Sequence, residues 1–186
     1  RMCCEAGIEV TSLPGACACI TALTISGLET RRFAFEAFLP AEKKERQAVF
    51  GELKNETRTI LLYEAPHRLV KTLKELLEEL GDRKIAVCRE LTKVHETALR
   101  TTIAEALAYY ETHEPKGECV LVIQGKSRRK ICQEQQAAWR ELTVWEHMDR
   151  YLSQGIDRKE AMKLVAKDRG VGKREIYQAL LDGQEP

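Results

Sequence analysis

Residues 58–82 read RTILLYEAPHRLVKTLKELLEELGD, the most informative passage in the chain. Arg58 to Tyr63 is centred on the apolar run Ile60 to Leu62, the pattern of a buried strand. It ends in polar residues, Tyr63 and Glu64. Pro66 suits a first helical turn, where no backbone donor is needed. Beyond it, Leu69, Leu73, Leu76, Leu77 and Leu80 recur at helical spacing, and Gly81 stands where such a helix ends. The passage therefore reads as strand, polar tip, helix.

The same unit repeats on both sides of it. Upstream, IEVTSLPG at 8–15 reads as a short strand closed by a Pro-Gly breaker, and ACACITALTISGL at 16–28 as a buried helix stopped by Gly27. FAFEAFLP at 33–40 reads as a strand ending at Pro40, and AEKKERQAVFGELKNE at 41–56 as a charged amphipathic helix. Downstream, RKIAVCREL at 83–91 is a strand with a polar tip, and TKVHETALRTTI at 92–103 passes through a loop into a second extended piece. AEALAYYETHEPKG at 104–117 reads as a helix ending before Pro115, and GECVLVIQG at 117–125 as an apolar strand between glycines. Alternating strands and helices indicate an α/β domain over residues 1–126, a sheet with flanking helices. In such sheets ligands bind at the carboxyl ends of strands, where these polar residues gather.

After Gly125 the composition changes. KSRRK at 126–130 and QEQQ at 133–136 read as a polar, basic linker over residues 127–141. Residues 142–186 read as a small helical module of three helices with Gly-containing turns, like a helix-turn-helix. Thr143 with Glu146, and Asp157 with Glu160, mark the first two helix starts as capping boxes.

The chain of 186 residues is 44% apolar, enough for a packed core, and its net charge of +1 gives no global pull toward nucleic acid. Any basic surface must be local. Its seven cysteines are odd in number and several sit in apolar runs, which suits reduced thiols and not a secreted disulfide framework. The Cys17-x-Cys19 pair lacks the usual zinc partners, so no metal is expected. No apolar stretch is long enough to span a bilayer. Arg1 to Ala6 read as the last turns of a helix closed by Gly7, which leads one to expect further chain upstream.

Four clusters carry chemistry. LPGACA at 13–18 is a strand-to-helix junction whose small residues let a flat ligand approach helix amides; the same residues suit a tight turn. YEAPHR at 63–68 gathers Tyr63, Glu64, His67 and Arg68, as a polar site or as a helix-start ion pair. RELTKVHE at 89–96 adds Arg89, Glu90, Thr92, Lys93, His95 and Glu96, as a second polar tip or a solvated loop. Lys126, Arg128, Arg129 and Lys130, with Lys173 and Arg174 opening the last helix, suit phosphates or a plain solvated surface.

In this order, LPGACA with SGLETRRFAFEAFLP, then LLYEAPHRL, then AVCRELTKVHE with RTTIAEAL and GECVLVIQG, the chain resembles the C-terminal half of the ribosomal RNA small-subunit 2′-O-ribose methyltransferases, which have the tetrapyrrole-methylase fold. The resemblance implies two α/β domains with S-adenosylmethionine in the cleft between them, the C-terminal one built on a mixed sheet with flanking helices. It implies methyl transfer to a cytidine ribose 2′-hydroxyl of 16S ribosomal RNA, a homodimer, and the bacterial cytoplasm. It assigns cofactor contacts to Pro14, Gly15, Cys17 and Ala18, to Tyr63 and Glu64, and to Thr101 with Thr102. Glu64, His67, Glu90, Lys93 and His95 are the candidates for the group that helps remove the hydroxyl proton. Arg68, Arg89, Lys126, Arg128, Arg129, Lys173 and Arg174 are the candidates for RNA phosphates.

The chain departs from that family pattern in several places. Cys17 replaces a Ser or Thr, Thr101 a Gly, Ala37 a Gly and Ala65 a Ser. The resemblance leads one to expect an N-terminal domain with a Gly-rich loop that these 186 residues do not include, so the chain alone is expected to have little activity. Two other readings stand beside this one: a porphyrin or corrin methylase of the same fold, and a non-catalytic nucleic-acid-binding module over residues 143–182.

Overall fold

The computed structural model describes residues 1–182. Arg1–Gly125 and the residues from Lys126 onward form two compact units.

The first unit is built on five strands: β1 (Phe33–Phe38), β2 (Thr59–Glu64), β3 (Lys84–Arg89), β4 (Thr97–Thr102) and β5 (Cys119–Ile123). Their order across the sheet is β1-β2-β5-β3-β4. Only β1 and β2 run parallel; β5 is antiparallel to both β2 and β3, and β3 to β4. The sheet is mixed, as the family resemblance implied; alternation of elements alone would suggest parallel strands.

Strand alternation sends side chains to two faces. Ile60, Leu62, Ile85, Val87, Leu121 and Ile123 face one way, into a core with α3 (Lys43–Leu53), α4 (Pro66–Leu80) and α5 (Ile103–Thr112). Leu61, Ala86, Cys88, Val120 and Val122 face the other way, against Cys19, Ala22 and Leu23 of α2 (Ala18–Ile25). Leu69, Leu73, Leu76 and Leu80 of α4 are buried and Leu77 partly so, the stripe read from the sequence. The second face is covered by a single short helix. Phe33, Phe35 and Phe38 of β1 and Ile20 of α2 remain exposed.

Two expected elements differ. No strand forms at Ile8–Val10; after α1 (Met2–Glu5), residues 8–17 run exposed and without secondary structure. An isolated triplet with an apolar residue at each end cannot hold a strand without a ladder partner. The expected linker is a helix, α6 (Arg128–Arg140), with the Ser127 hydroxyl accepting from the Lys130 amide at 3.1 Å. Charged and polar residues there are good helix formers, and no Gly or Pro interrupts them.

The second unit therefore has four helices, with α7 (Val144–Leu152), α8 (Arg158–Arg169) and α9 (Lys173–Leu181) following α6. Both N-caps form, Thr143 in a full capping box and Asp157 accepting from the amides of Lys159 and Glu160, but the box expected at Asp157 is not completed, because Glu160 pairs with Lys163. Met148, Ala161, Val165, Ile176 and Leu180 make its core. Gly170 closes α8 at φ +66°, and a Cβ there would meet the Gln136 amide nitrogen at 2.3 Å, so α6 packs onto this turn. Residues 183–186 of the expected module lie outside the described residues.

Candidate functional site

The polar tips lie at the same end of the sheet. Glu64 pairs with Cys119, and Cys119 with Arg89, which pairs with Thr97. The β2 and β3 tips are thus aligned but not adjacent, with the start of β5 between them, about 10 Å apart at two strand spacings.

A hollow of about 440 Å³ opens at this end, lined by Ala18, Phe38, Tyr63, Glu64, Glu118 and Cys119 among others. Its wall is mainly apolar, with a few carboxylates. The size suits a drug-sized ligand, for which about 300–1,000 Å³ is usual. Phe38 reaches it through a local irregularity. Ala37 sits at φ 52°, the β1–β2 register shifts between Phe35 and Phe38, and Phe38 then lies 5.6 Å from the Tyr63 ring. Burial, followed by the neighbouring Cys19, raises the Tyr63 hydroxyl pKa.

Glu64 is 2% exposed and both of its oxygens are engaged. Oε1 accepts from the Ala65 amide at 2.9 Å, and Oε2 from the Thr72 hydroxyl at 2.6 Å. Arg68 Nε stands 3.6 Å from Oε1. The Thr72 hydroxyl in turn accepts from Arg46 Nη2 at 2.8 Å, and Arg46 bonds Glu75 at 2.6 and 2.8 Å. A carboxylate held this way fixes the strand tip and the start of α4; it is not a free base. Ala65 caps α4 without a side-chain bond, the effect of Ala where Ser is usual.

The loop after β3 is strained. Glu90 and Thr92 adopt φ 49° and 63°, conformations L residues seldom take, and unusual for a β-branched Thr. The Thr92 amide donates to Glu96 at 2.7 Å, and Lys93 Nζ pairs with Glu90 at 3.1 Å. The Glu90 carboxylate lies over Gly117, where a Cβ would stand 1.8 Å from its oxygen.

A family model described as Tetrapyrrole (Corrin/Porphyrin) Methylases matches residues 1–107. The chain belongs to the tetrapyrrole methylase family. Ribosomal RNA small subunit methyltransferase I of Bacillus subtilis (strain 168) is 45% identical over 175 residues, 94% of this chain and 60% of that protein. The proteins of the same name from Halalkalibacterium halodurans and Synechocystis sp. are 43% and 41% identical, covering 92% and 97% of this chain and 58% and 63% of theirs. This tetrapyrrole methylase chain thus spans about three fifths of the length of these curated relatives. A solved cobalt precorrin-4 methyltransferase aligns with 19% identity and a TM-score of 0.45, over 65% of this chain and 54% of that one.

Of the residues assigned to the cofactor, this chain brings Ala18, Tyr63 and Glu64 to the hollow. Cys17 stands beside Ala18 as the N-cap of α2. Pro14 and Gly15 lie in the exposed segment before it. Thr101 does not join them. It pairs with Ile85, four positions from the tip, about 13 Å away along the strand, and lines a second hollow with Gly27 and Arg100. Its hydroxyl bonds Glu105, while Thr102 caps α5 in a capping box.

Among the base candidates, His67 and His95 are exposed near the tips, Lys93 and Glu90 pair with each other, and Glu64 is committed as described. Arg89 is half-buried beside Tyr110, its Nε without an acceptor, and Arg68 faces Glu64. In the second unit, Arg128 and Arg129 open α6, and Lys173 and Arg174 open α9, all exposed. Lys126 pairs with Glu134. Among the described residues no three or more His, Cys, Asp or Glu side chains are placed to hold a metal ion, and no helix is long and apolar enough to cross a membrane.

Phe38, Glu118 and Cys119 were not read from the sequence as site residues. Glu118 and Cys119 reach the hollow through pairing of β5 with β2, more than fifty residues away. The one local signal was the Gly usual where Ala37 stands, which marks the left-handed turn that redirects Phe38.

Proposed function

We propose that this chain forms the C-terminal part of an S-adenosylmethionine-dependent methyltransferase that acts on a cytidine ribose 2′-hydroxyl of 16S ribosomal RNA. The observation that carries the reading is the 45% identity to a ribosomal RNA small subunit methyltransferase I over 94% of the chain. The hollow at the strand tips supports it, because its mainly apolar wall and few carboxylates fit a nucleoside linked to an amino acid.

When bound, S-adenosylmethionine supplies an electrophilic sulfonium methyl. Ala18 and Tyr63 give the ligand an apolar wall, and Glu64, fixed by Thr72 and Ala65, holds that wall in place. Fixed walls matter because in-line displacement depends on aligning acceptor, methyl and leaving group. His67 and His95 stand free at the tips to take the hydroxyl proton. Of the cations assigned to RNA, Arg128, Arg129, Lys173 and Arg174 stand exposed and suit contact with RNA phosphates. The exposed Phe33, Phe35, Phe38 and Ile20 give the homodimer, or the rest of the cofactor cleft, an apolar surface to cover. A bacterial cytoplasmic setting follows from the ribosomal substrate.

The test replaces the matching segment of the Bacillus subtilis relative with residues 1–182. The chimera is expected to transfer labelled methyl groups to small-subunit RNA, mapping to a cytidine 2′-oxygen, while the chain alone transfers few. A folded chimera that methylates a base, or only a porphyrinoid, would sink the reading.

A further inference from the structure

Cys17 and Cys19 flank Ala18, the residue of α2 that lines the hollow. Cys17 is exposed; Cys19 is buried, 7% exposed. Their sulfurs are 3.3 Å apart and share a hydrogen bond. The backbone amide of Ile20 and the thiol of Cys19 lower the Cys17 pKa, although its sulfur makes no formed cap bond. Burial, then the neighbouring Cys17, raises that of Cys19. Negative charge therefore falls on the exposed sulfur, and the buried one stays protonated beside it.

We propose that Cys17 and Cys19 form a reversible dithiol–disulfide modification site, with a hydroperoxide as oxidant, Cys17 as nucleophile and Cys19 as resolving thiol. In the first step the Cys17 thiolate attacks the peroxide oxygen. An S–O bond forms, the O–O bond breaks, and the leaving oxygen departs as water or an alcohol once protonated. Cys17 becomes a sulfenic acid, oxidised by two electrons. In the second step the Cys19 sulfur attacks the Cys17 sulfur. The S–S bond forms, the S–O bond breaks, and hydroxide leaves as water with the Cys19 proton. An external dithiol returns the two electrons by exchange.

The geometry permits closure. The sulfurs must approach from 3.3 Å to about 2.05 Å, a shift of roughly 1.3 Å, and Cys17 lies at the end of an exposed segment free to adjust. Other cysteines serve as internal comparisons. Burial pushes the thiols of Cys88 and Cys119 up to about 11, which leaves them inert. Cys132 is exposed on α6, where Gln136 donates to its sulfur at 3.3 Å.

The test treats the reduced chain with hydrogen peroxide, caps remaining thiols under denaturing conditions, and cleaves after Glu9 and Glu29. The peptide 10–29 holds Cys17 and Cys19 as its only cysteines. Expected is a peptide lacking two hydrogens and both caps, formed severalfold faster than Cys132 oxidises and restored by dithiothreitol. In Cys19→Ser the reaction stops at a Cys17 sulfenic acid that dimedone traps; in Cys17→Ser, Cys19 remains reduced. The proposal is overturned if Cys17 oxidises no faster than Cys132, or if its oxidised forms in the unaltered chain carry extra oxygen and no bond to Cys19.

Discussion

Thr72→Val tests whether Glu64 holds the strand tip. Valine keeps the shape of threonine and removes only the hydroxyl. Thr72 is fully buried, and its hydroxyl both donates to Glu64 at 2.6 Å and accepts from Arg46 at 2.8 Å. Arg46 retains Glu75, and Glu64 retains the Ala65 amide, so the main loss is one bond to a buried carboxylate. Hydrogen bonds to charged groups contribute about 1.5–3 kcal/mol. The expected cost is therefore about 2–3 kcal/mol, roughly a 1 M shift of a urea midpoint for a unit of this size. Thr72→Ser keeps the hydroxyl and loses one methyl, about 1 kcal/mol. A double-mutant cycle with Glu64→Gln should show coupling of about 1–2 kcal/mol. Urea unfolding is followed by far-UV circular dichroism, because Trp139 and Trp145, the only two tryptophans, lie in the second unit. The reasoning is refuted if Thr72→Val costs less than about 0.5 kcal/mol, the range of an uninvolved surface change, or if Thr72→Ser costs as much as Val.

Ala37→Gly should be neutral or stabilise by up to about 1 kcal/mol, since relief at φ 52° outweighs the added freedom of the unfolded chain, whereas Ala37→Val should destabilise; opposite signs in thermal melts check it. Gly125→Ala should unfold the first unit or cost several kcal/mol, because a Cβ there would lie 2.3 and 2.4 Å from the Thr57 and Arg58 carbonyl oxygens, and circular dichroism of the purified variant reads this directly. In the second unit, His147 is fully buried, stacked on Trp139, and its Nδ1 accepts from Arg169, which leaves the proton on Nε2 facing Asp168. Burial first, then Arg169, hold its pKa below the usual 6.5, against the opposing pull of Asp168. The unfolded chain then takes up the proton first, so stability is intact above about pH 6.5 and falls as pH drops through the folded pKa, by at most about 1.4 kcal/mol per unit. Urea unfolding followed by tryptophan fluorescence across pH 7 to 5 should show the fall, and His147→Gln should flatten it.

Most of the architecture was legible locally. The β2–α4 passage, the Thr143 and Asp157 caps and the stripe from Leu69 to Leu80 each rest on spacing within a few residues, which a sequence displays directly. The two misreadings were also local. Ile8–Val10 has strand composition but no partner strand, and residues 128–140 have linker-like charge but good helix propensity. Three of the residues that the resemblance assigned to the cofactor, Ala18, Tyr63 and Glu64, reach the hollow, Ala18 at the start of α2 and Tyr63 and Glu64 at the end of β2, places that the sequence marks by Pro or small residues.

What the sequence determined by itself was the set of elements and the chemistry at their ends. Tertiary structure decided which ends meet. Insertion of β5 between β2 and β3 puts Glu118 and Cys119 into the hollow, and the antiparallel turn into β4 carries Thr101 to the far end of the sheet. It also turned Glu64 from a candidate base into a fixed strut, since Thr72 and Arg46 stand beside it only once α4 and α3 pack. Strand order and side-chain partnership arise from contacts between residues distant along the chain, and no local spacing encodes them.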